Sequence, residues 1–472
     1  VIFWFRQDLR IIDNPGLSKS LTSDKVLPIY ILDDTNSNDC AMGAASRWWL
    51  HNSLRELNKN LDNKLSLYKG DPSEILESLS SRFNIKGIFW NRCYEPWRIE
   101  RDKKIKSKFI EKNIIVETFN SALLWEPWEI LKSDNTPYKV FTPYYRKGCL
   151  MSEAPRKPLS APNLNTLLED KENILQLDDL NLLPRIKWYK EMEKHWEPGE
   201  KGAHKKLESF LSDGLLGYKE GRNFPSKKNV SQLSAHMHYG EISPNQVWHR
   251  AKLKKEIFGI EKDLDHFLSE LGWREFSYNL LFHFPELPRE NLQKKFDNFP
   301  WIENEISFDK WKKGLTGYPI VDAGMRELWQ TGYMHNRVRM IVGSFLVKNL
   351  LLHWHKGEEW FWDCLIDADL ASNSASWQWV AGSGADAAPY FRIFNPILQG
   401  KRFDPDGTYI KKFIPELEQL PNKYIFSPWE APIEVLSEAN IELGSDYPEP
   451  IVELTKSRDR ALEAFSTIRI KA

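Results

Sequence analysis

Short apolar runs alternate with amphipathic segments along the first quarter of the chain. The apolar runs predict five buried strands, at residues 1–5, 26–32, 65–68, 87–90 and 114–119. The intervening segments with helical periodicity lie near 44–60, 72–83 and 97–112. Such alternation is typical of a parallel sheet with right-handed crossovers. We therefore expect an α/β domain over residues 1–130.

Helical periodicity dominates the second half of the chain. It predicts helices at 203–213, 244–256, 262–284, 308–314, 321–330, 334–352, 357–364 and 456–468. A polar stretch rich in proline and asparagine precedes them and predicts an interdomain linker over 131–200. The expected fold class is therefore α/β, with a Rossmann-like parallel-sheet domain followed by an all-α domain over 201–472.

Composition excludes several classes of protein. The chain has 472 residues, of which 41% are hydrophobic and 28% charged, so it is neither disordered nor collagen-like. The longest apolar stretch, 340–354, is interrupted by Lys348 and Asn349, so no bilayer span is expected. The N-terminus has no secretory-signal pattern, and a cytoplasmic protein is expected. Four cysteines without a CxxC pair predict neither a disulfide framework nor a metal site.

Charge and aromatic content leave ligand binding open. The net charge is −1, so binding of a nucleic acid would require a local basic face. Neither the dinucleotide fingerprint nor the P-loop follows the first strand. The chain contains 20 tryptophans, which are compatible with stacking on flat ligands or electron transfer, although aromatic-rich cores are commoner.

Three segments carry the candidate chemistry. Small residues surround Asp367, Asp369, Asn373 and two tryptophans in 367–379, a pattern that fits either a flat ligand or close helix packing. The segment 332–340 places Asn336, Arg339 and Met340 on one helix face. Glu270 and Trp273 lie one turn apart on a third helix, where the alternative is a boundary ion pair with Arg274.

These segments resemble motifs of the photolyase and cryptochrome family, in the same order and with the same spacing. The second-domain motifs that carry the resemblance are Tyr218-Lys-Glu-Gly-Arg222-Asn-Phe-Pro225, Ser231-Gln-Leu-Ser234, His238-Tyr-Gly240-Glu-Ile-Ser-Pro244, Trp273-Arg-Glu-Phe276, Gly317-Tyr-Pro-Ile-Val-Asp-Ala-Gly-Met-Arg326, and the segments 332–340 and 367–396. The first-domain motifs are Trp4-Phe-Arg6-Gln-Asp8-Leu-Arg10, Ser46-Arg-Trp-Trp-Leu-His51 and Phe141-Thr-Pro-Tyr144. The resemblance covers essentially the whole chain.

The resemblance implies FAD bound in the helical domain. Hydroxyl and backbone N–H groups near the phosphates would come from Tyr218 and the loop Ser231, Gln232, Leu233 and Ser234. Val230 stands where many members have threonine. The remaining cofactor-binding residues implied are Phe267, Arg339, Asp367, Ala368, Asp369 and Asn373. Arg339 and Asp367 would form an ion pair beside the isoalloxazine, and Asn373 would face flavin N5, where plant cryptochromes have aspartate.

The implied reaction is light-driven repair of cyclobutane pyrimidine dimers in UV-damaged DNA by electron transfer from excited FADH⁻. The implied catalytic residues are Glu270, Asn336, Met340 and Asn373, and the tryptophans of the electron-transfer chain are Trp301, Trp354 and Trp377. The implied DNA-binding residues are Arg222, Glu270, Trp273, Arg274, Asn336, Arg337, Trp379 and Gln399. No metal is required.

Two alternatives of other types stay open, a cryptochrome photoreceptor and a six-four photolyase. Asn373 and the absence of a long C-terminal tail weigh against the first, and Asn336 and Met340, where six-four photolyases have histidine, weigh against the second. The subclass expected is class I or a close bacterial branch. A methenyltetrahydrofolate antenna is preferred on the Arg47-Trp48-Trp49 pattern, with 8-hydroxy-5-deazaflavin as the alternative, although Cys40, Trp97 and Arg98 depart from a folate set. A monomer without an obligate protein partner is expected.

Overall fold

In the computed structural model, residues 1–387 and 391–469 are described. The chain forms two compact units. The first comprises residues 1–216, 231–285 and 366–371. The second comprises residues 217–230, 286–365 and 372–472, within the limits just given. The expected fold class is confirmed, because a parallel sheet with helices precedes a helical remainder.

A five-stranded parallel sheet organises the N-terminal part of the first unit. Its strands are β1 (Ile2–Phe5), β2 (Leu27–Leu32), β3 (Ser66–Lys69), β4 (Gly87–Asn91) and β5 (Ile115–Phe119). Their order is β3-β2-β1-β4-β5, with Trp4 in register with both Ile29 and Trp90. Every residue of β1, β2 and β4 is buried, since helices cover both faces of the sheet. All five predicted strands are present within one residue at each end.

Four helices connect or flank these strands: α1 (Pro15–Ser20), α2 (Ala44–Asn60), α3 (Pro72–Phe83) and α4 (Pro96–Glu111). Local sequence explains their ends. The Asp71 side chain accepts hydrogen bonds from the backbone N–H groups of Ser73 and Glu74 at the start of α3. The same helix ends at Asn84, which adopts a left-handed conformation with φ 48°.

Short helices and turns lead from the sheet to the long helix of the first unit. The helices are α5 (Phe141–Pro143), α6 (Glu200–Ser209), α7 (Tyr218–Gly221), α8 (Ser234–His238), α9 (Pro244–Lys252) and α10 (Glu261–His283), of which α7 belongs to the second unit. Between 149 and 199 the chain contains only short 3₁₀ turns, as the polar composition predicts. The domain limits at 130 and 200 stay predictions.

The remaining helices form the second unit, with the start of α15 assigned to the first. They are α11 (Glu305–Lys313), α12 (Pro319–Thr331), α13 (Asn336–Ser344), α14 (Trp354–Cys364), α15 (Leu370–Ala381), α16 (Pro396–Phe403), α17 (Thr408–Phe413), α18 (Ile433–Glu438) and α19 (Leu454–Arg469). The helix predicted over 334–352 is shorter, because α13 passes into a π-helical turn over Phe345–Asn349. Leu351 then has a φ of 57°, which a helix cannot accommodate.

Several absences apply to the part of the chain that the structure describes. Within it, no helix is both long and apolar enough to cross a membrane. No group of three histidine, cysteine or acidic side chains there has the arrangement of a metal site. No disulfide joins the four cysteines, of which Cys93, Cys149 and Cys364 are buried.

Candidate functional site

Helix α10 presents Glu270 and Trp273 of the first unit one turn apart, as their spacing predicts. The Trp273 ring stacks on Phe141, with centroids 3.8 Å apart and an interplanar angle of 11°. Close approach of α10 requires Gly272, since a Cβ there would lie 2.5 Å from the Tyr145 ring. The indole of Trp273 is therefore held in one orientation while it keeps part of its surface exposed.

The carboxylate of Glu270 is partly exposed. Its Oε1 lies 3.8 Å from Nε2 of His266, one turn earlier on α10. Phe267, on the same helix, is buried and contacts the Phe210 ring at 4.7 Å between centroids. Glu270 can therefore offer a hydrogen-bonding group beside an aromatic surface.

Arg274 points into the first unit. Its Nη1 donates to the Ala122 carbonyl at 2.7 Å, and its guanidinium lies 4.8 Å from the Tyr278 ring centroid. Only 13% of its side chain is exposed, and Glu275 Oε1 lies 3.4 Å away. These contacts indicate that Arg274 stabilises the interior of the first unit. Binding of a DNA phosphate by Arg274 stays a prediction, and the burial of its side chain does not support it.

A buried carboxylate network surrounds Asp369. Its Oδ2 accepts a hydrogen bond from the Tyr278 hydroxyl and lies 3.2 Å from Nδ1 of His238. Burial alone would raise the pKa of Asp369, but the His238 hydrogen bond and charge and the Arg274 charge lower it below its usual range. Asp369 is therefore ionised. Asp367 accepts from the Ser234 hydroxyl at 2.6 Å, and Ala368 between them is buried.

The 231–234 loop, which comprises Ser231, Gln232, Leu233 and Ser234, lies in the same unit. Gln232 has a φ of 51°, a left-handed conformation unusual for a residue other than glycine. Its side-chain Oε1 accepts a hydrogen bond from Nζ of Lys206 at 2.9 Å. Leu233 is buried, and Ser234 is exposed at the start of α8.

In the second unit, the start of α13 carries four predicted site residues, Asn336, Arg337, Arg339 and Met340. His335 caps the helix, since its Nδ1 accepts from the Arg337 backbone N–H at 3.2 Å. Burial and the neighbouring arginines lower the pKa of His335 to about 3, so its ring stays neutral and able to accept. Asn336 is exposed, and Met340 Sδ lies 3.8 Å from Nη1 of Arg337.

Arg339 turns towards the start of its own helix. Its Nε donates to the Met334 carbonyl at 2.7 Å, and its guanidinium lies 5.2 Å from the Tyr333 ring centroid. Tyr218 is also buried in the second unit, with the Arg222 guanidinium 5.5 Å from its ring centroid. The ion pair between Arg339 and Asp367 stays a prediction.

Two arginines of the second unit lie against Phe403, and a third, Arg222, is close enough to one of them to affect its pKa. The guanidinium of Arg337 lies 4.4 Å from the Phe403 centroid and donates to Asn223 Oδ1, and that of Arg402 lies 5.1 Å from the same ring. Burial and the charges of Arg222 and Arg402 lower the pKa of Arg337. Like charges held together are stabilised by an anion such as phosphate. Gln399 lies on the same helix as Arg402 and is half-exposed.

Asn373 on α15 contacts a buried acid. Its Nδ2 donates to the Glu358 backbone carbonyl at 3.0 Å, which leaves its amide oxygen as an acceptor. The Ser374 hydroxyl donates to the Glu358 carboxyl group. Burial raises the pKa of Glu358 to about 8, and hydrogen bonding to Ser374 only partly opposes this effect. The Glu358 carboxyl group is therefore largely protonated at neutral pH.

The three tryptophans proposed for electron transfer all lie in the second unit. Trp301 and Trp354 are linked through the ring of His353, at centroid distances of 5.2 Å and 5.7 Å. Trp354 Nε1 donates to Asn291 Oδ1 at 3.0 Å, which fixes its orientation. Trp377 packs edge-on against Phe361, with centroids 5.0 Å apart. Electron transfer along them stays a prediction.

Trp379 borders a cavity of about 270 Å³ in the second unit. Its Nε1 donates to the Asp386 carbonyl at 3.1 Å. Met340 and Lys348 also line this cavity, and Lys348 Nζ donates to the Ala381 carbonyl at the end of α15 at 2.7 Å. Residues 388–390 of the 367–396 motif lie outside the described residues.

Sequence reasoning missed the side chains that support this chemistry. The missed residues are Lys206, His238, Tyr278, His335, Glu358 and Arg402. His335 could have been recognised as a cap, because it directly precedes the predicted polar helix start. Lys206, His238, Tyr278 and Glu358 meet partners that are distant in the sequence, and no local pattern marks those contacts.

Comparisons with known proteins agree with the fold. Residues 267–467 match the FAD binding domain of DNA photolyase, and residues 1–163 match the DNA photolyase family. The chain is 47% identical over 475 residues to a deoxyribodipyrimidine photo-lyase of Agrobacterium fabrum, with 99% of this chain and 98% of that protein covered. The chain therefore belongs to the DNA photolyase family, which is the family that the sequence motifs indicate.

Two further comparisons place the chain within that family. It is 38% identical to cryptochrome-2 of Arabidopsis thaliana over 99% of its length and 79% of that protein's. A solved structure described as a bacterial class III photolyase from Agrobacterium tumefaciens superposes with a TM-score of 0.95 at 47% identity, covering 99% of this chain and 97% of that one. Proteins named cryptochrome and proteins named photolyase are thus both among its relatives.

Proposed function

We propose that the protein is a deoxyribodipyrimidine photo-lyase that uses light to split cyclobutane pyrimidine dimers in DNA. The observation that carries this function is the end-to-end 47% identity to a deoxyribodipyrimidine photo-lyase. The match to a solved structure described as a bacterial class III photolyase further supports assignment to that branch.

The donor groups present suit FAD. Ser231, Ser234 and the Lys206 ammonium have the chemistry of a diphosphate site, while Asp367 and Asp369 suit the N–H groups of a flavin or the hydroxyls of a ribose. FAD, when bound, supplies the light-driven electron that opens the cyclobutane ring.

Asn373 supports the choice of a repair enzyme over a photoreceptor. One N–H of its Nδ2 is engaged by the Glu358 carbonyl, which leaves its oxygen and its second N–H to face a ligand. An amide oxygen accepts a hydrogen bond from a ring N–H and, unlike a carboxylic acid, has no proton to release. We propose that Asn373 stabilises a fully reduced flavin in this way.

The chain's own side chains would bind and orient the dimer. Trp273, held against Phe141, and Trp379, held by the Asp386 carbonyl, would pack on the flipped bases and exclude water. Glu270 would hydrogen-bond a base edge. Asn336 and Met340 have no titratable proton to give, which favours a cyclobutane dimer over a six-four product.

We place a folate antenna in a cavity of about 510 Å³ in the first unit. Trp48 and Trp196 border it and suit a flat ring, and Arg55 and Lys201 suit carboxylates. Four acidic residues also line the cavity and suit the N–H groups of a pterin: Glu56, Glu193, Glu197 and Glu200. An R55E substitution should lower the near-ultraviolet absorbance of a bound pigment while the flavin bands remain. If the near-ultraviolet absorbance of R55E equals that of the wild type, this cavity is not the antenna site.

The decisive experiment is blue-light repair by the purified flavin-loaded protein, with one oligonucleotide containing a cyclobutane dimer and another a six-four product. We expect light-dependent loss of the first lesion only. Loss of the six-four product alone would assign the other repair activity, and bound flavin without either repair would indicate a photoreceptor. Gel filtration of the same preparation tests the proposed monomer.

An E270A variant tests the proposed dimer contact. Loss of a hydrogen bond to a charged group should slow repair roughly tenfold while FAD remains bound. The matched control is E261A, at the exposed first residue of the same helix. If E270A and E261A repair the dimer at equal rates, Glu270 does not contact the dimer.

A further inference from the structure

A half-buried lysine of α6 contacts the 231–234 loop. Nζ of Lys206 donates to Oε1 of Gln232 at 2.9 Å and lies 4.5 Å from the ring centroid of Trp196. The neighbouring Lys205 instead pairs with Glu197 at 2.9 Å and is exposed. Of the two adjacent lysines, only Lys206 faces the loop.

The Lys206 ammonium has no counter-ion within the described ranges 1–387 and 391–469. No carboxylate lies within ion-pairing distance of it there, and its neighbours are an amide oxygen and an indole ring. Burial and the charge of Lys205 lower its pKa. A half-buried cation without an anion is energetically unfavourable, so an anion bound at this loop would be stabilised by it.

The backbone of the loop needs support at this point. Gln232 has a φ of 51°, and residues other than glycine keep such conformations only where their surroundings hold them. The hydrogen bond from Lys206 restrains the Gln232 side chain. One hydrogen bond therefore joins Gln232, whose backbone is strained, to the Lys206 ammonium, which has no counter-ion in the described ranges.

We propose that Lys206, through its hydrogen bond to Gln232, positions the 231–234 loop for the FAD diphosphate. The positive charge of Lys206 also favours binding of the diphosphate at this loop. This inference rests on the proposed function, which places the diphosphate at Ser231 to Ser234. The charge of Lys206 favours an anion bound at the loop, since the described ranges hold no counter-ion for it.

The test measures release of FAD from the purified flavin-loaded protein, followed by the rise in free-flavin fluorescence, over a range of salt concentrations. The variants are K206M, K206Q and K206R. Methionine removes the charge and the hydrogen bond, glutamine keeps a hydrogen-bonding group without charge, and arginine keeps both. K205M is the matched control, because it removes an adjacent lysine charge.

We expect K206M to release FAD about tenfold faster than the wild type, with a weaker dependence on salt. K206Q should fall between K206M and the wild type, and K206R should restore slow release. K205M should behave as the wild type. A purely structural role would change release without changing its salt dependence.

Two outcomes overturn the inference while leaving the function intact. One is release from K206M as slow and as salt-dependent as from the wild type. The other is loss of the near-ultraviolet antenna band in K206M with unchanged FAD release, which would assign Lys206 to the cavity bordered by Trp196. Wild-type protein that folds but binds no FAD would instead refute the proposed function itself.

Discussion

Glu358 is the buried side chain whose ionisation most directly concerns the proposed flavin site, because its backbone binds Asn373 and its carboxyl group binds Ser374. Its pKa is raised from 4.5 to about 8, chiefly by burial. Such a group is protonated in the folded chain over a pH range in which the unfolded chain has lost the proton. Folding is therefore coupled to pH at this residue.

We expect the stabilisation associated with Glu358 to be complete below pH 4.5 and to be lost as the pH rises through about 8. The loss is at most about 1.4 kcal/mol per pH unit. An E358Q variant cannot ionise, so its unfolding midpoint should fall less steeply between about pH 5 and about pH 9. Parallel curves for the two proteins would mean that Glu358 titrates normally.

Trp377 is the residue on which light-driven reduction of bound flavin should depend. We expect W377F to block that photoreduction and to leave repair by chemically reduced protein unchanged, since phenylalanine keeps the packing against Phe361 but is much harder to oxidise. Visible absorbance under blue light measures the first effect and dimer loss the second. The control is W429F, which changes an indole packed on Tyr318. Normal photoreduction in W377F would refute the electron-transfer chain.

At the scale of elements, glycines allow α13 and α14 to pack against Trp377. A Cβ on Gly357 of α14 would lie 2.2 Å from the Trp377 ring, whereas a Cβ on Gly343 of α13 would lie 3.6 Å from it. Both glycines are helical, so alanine brings the same gain in helix propensity at either position. The two substitutions therefore differ mainly in the space available.

We expect G357A to destabilise the protein by about 1 to 3 kcal/mol, because the helix or the indole must move. G343A should be neutral or stabilising by up to about 1 kcal/mol. Chemical denaturation compares stabilities, and tryptophan fluorescence reports the displaced ring. Similar stabilities in the two variants would show that α14 does not need close contact with Trp377.

At the scale of the whole molecule, a net charge of −1 provides no overall attraction for DNA. Attraction must therefore come from local groups such as Arg222, Arg337 and Arg402, because the charges of Arg222 and Arg402 both act on Arg337 in the second unit. The affinity for DNA should accordingly depend strongly on salt despite the neutral composition.

We expect R402A to weaken binding of damaged and undamaged DNA alike and to reduce the slope of log affinity against log salt by about 0.9, the value for one phosphate contact. The K310A variant removes an exposed charge from α11 and should leave the slope unchanged. Fluorescence anisotropy at several salt concentrations gives both slopes. An unchanged slope in R402A would exclude Arg402 from the DNA-binding surface.

The five strands, most of the longer helices and the family were predictable from the sequence, whereas α15 and the short helices α1, α5, α7, α8 and α16 to α18 were not predicted. Strand positions follow from runs of buried apolar residues, and the start of α3 follows from its Asp71 cap. The helix predicted over 334–352 was too long, because apolar periodicity continues through the π-helical turn at Phe345–Asn349. Periodicity reports which face is buried and not the hydrogen-bond register within the helix.

The sequence by itself determined the fold class and the family, because apolar runs and motif spacing lie within single elements, and the family resemblance supplied most of the candidate residues. Only the tertiary structure decided which other side chains contact the candidate residues. Lys206 meets Gln232 across 26 residues, and Tyr278 meets Asp369 across 91. The tertiary structure also turns Arg274 inward to Ala122, 152 residues away, although the family resemblance implied a phosphate contact. Contacts between distant residues depend on how the elements pack, and no local pattern encodes that packing.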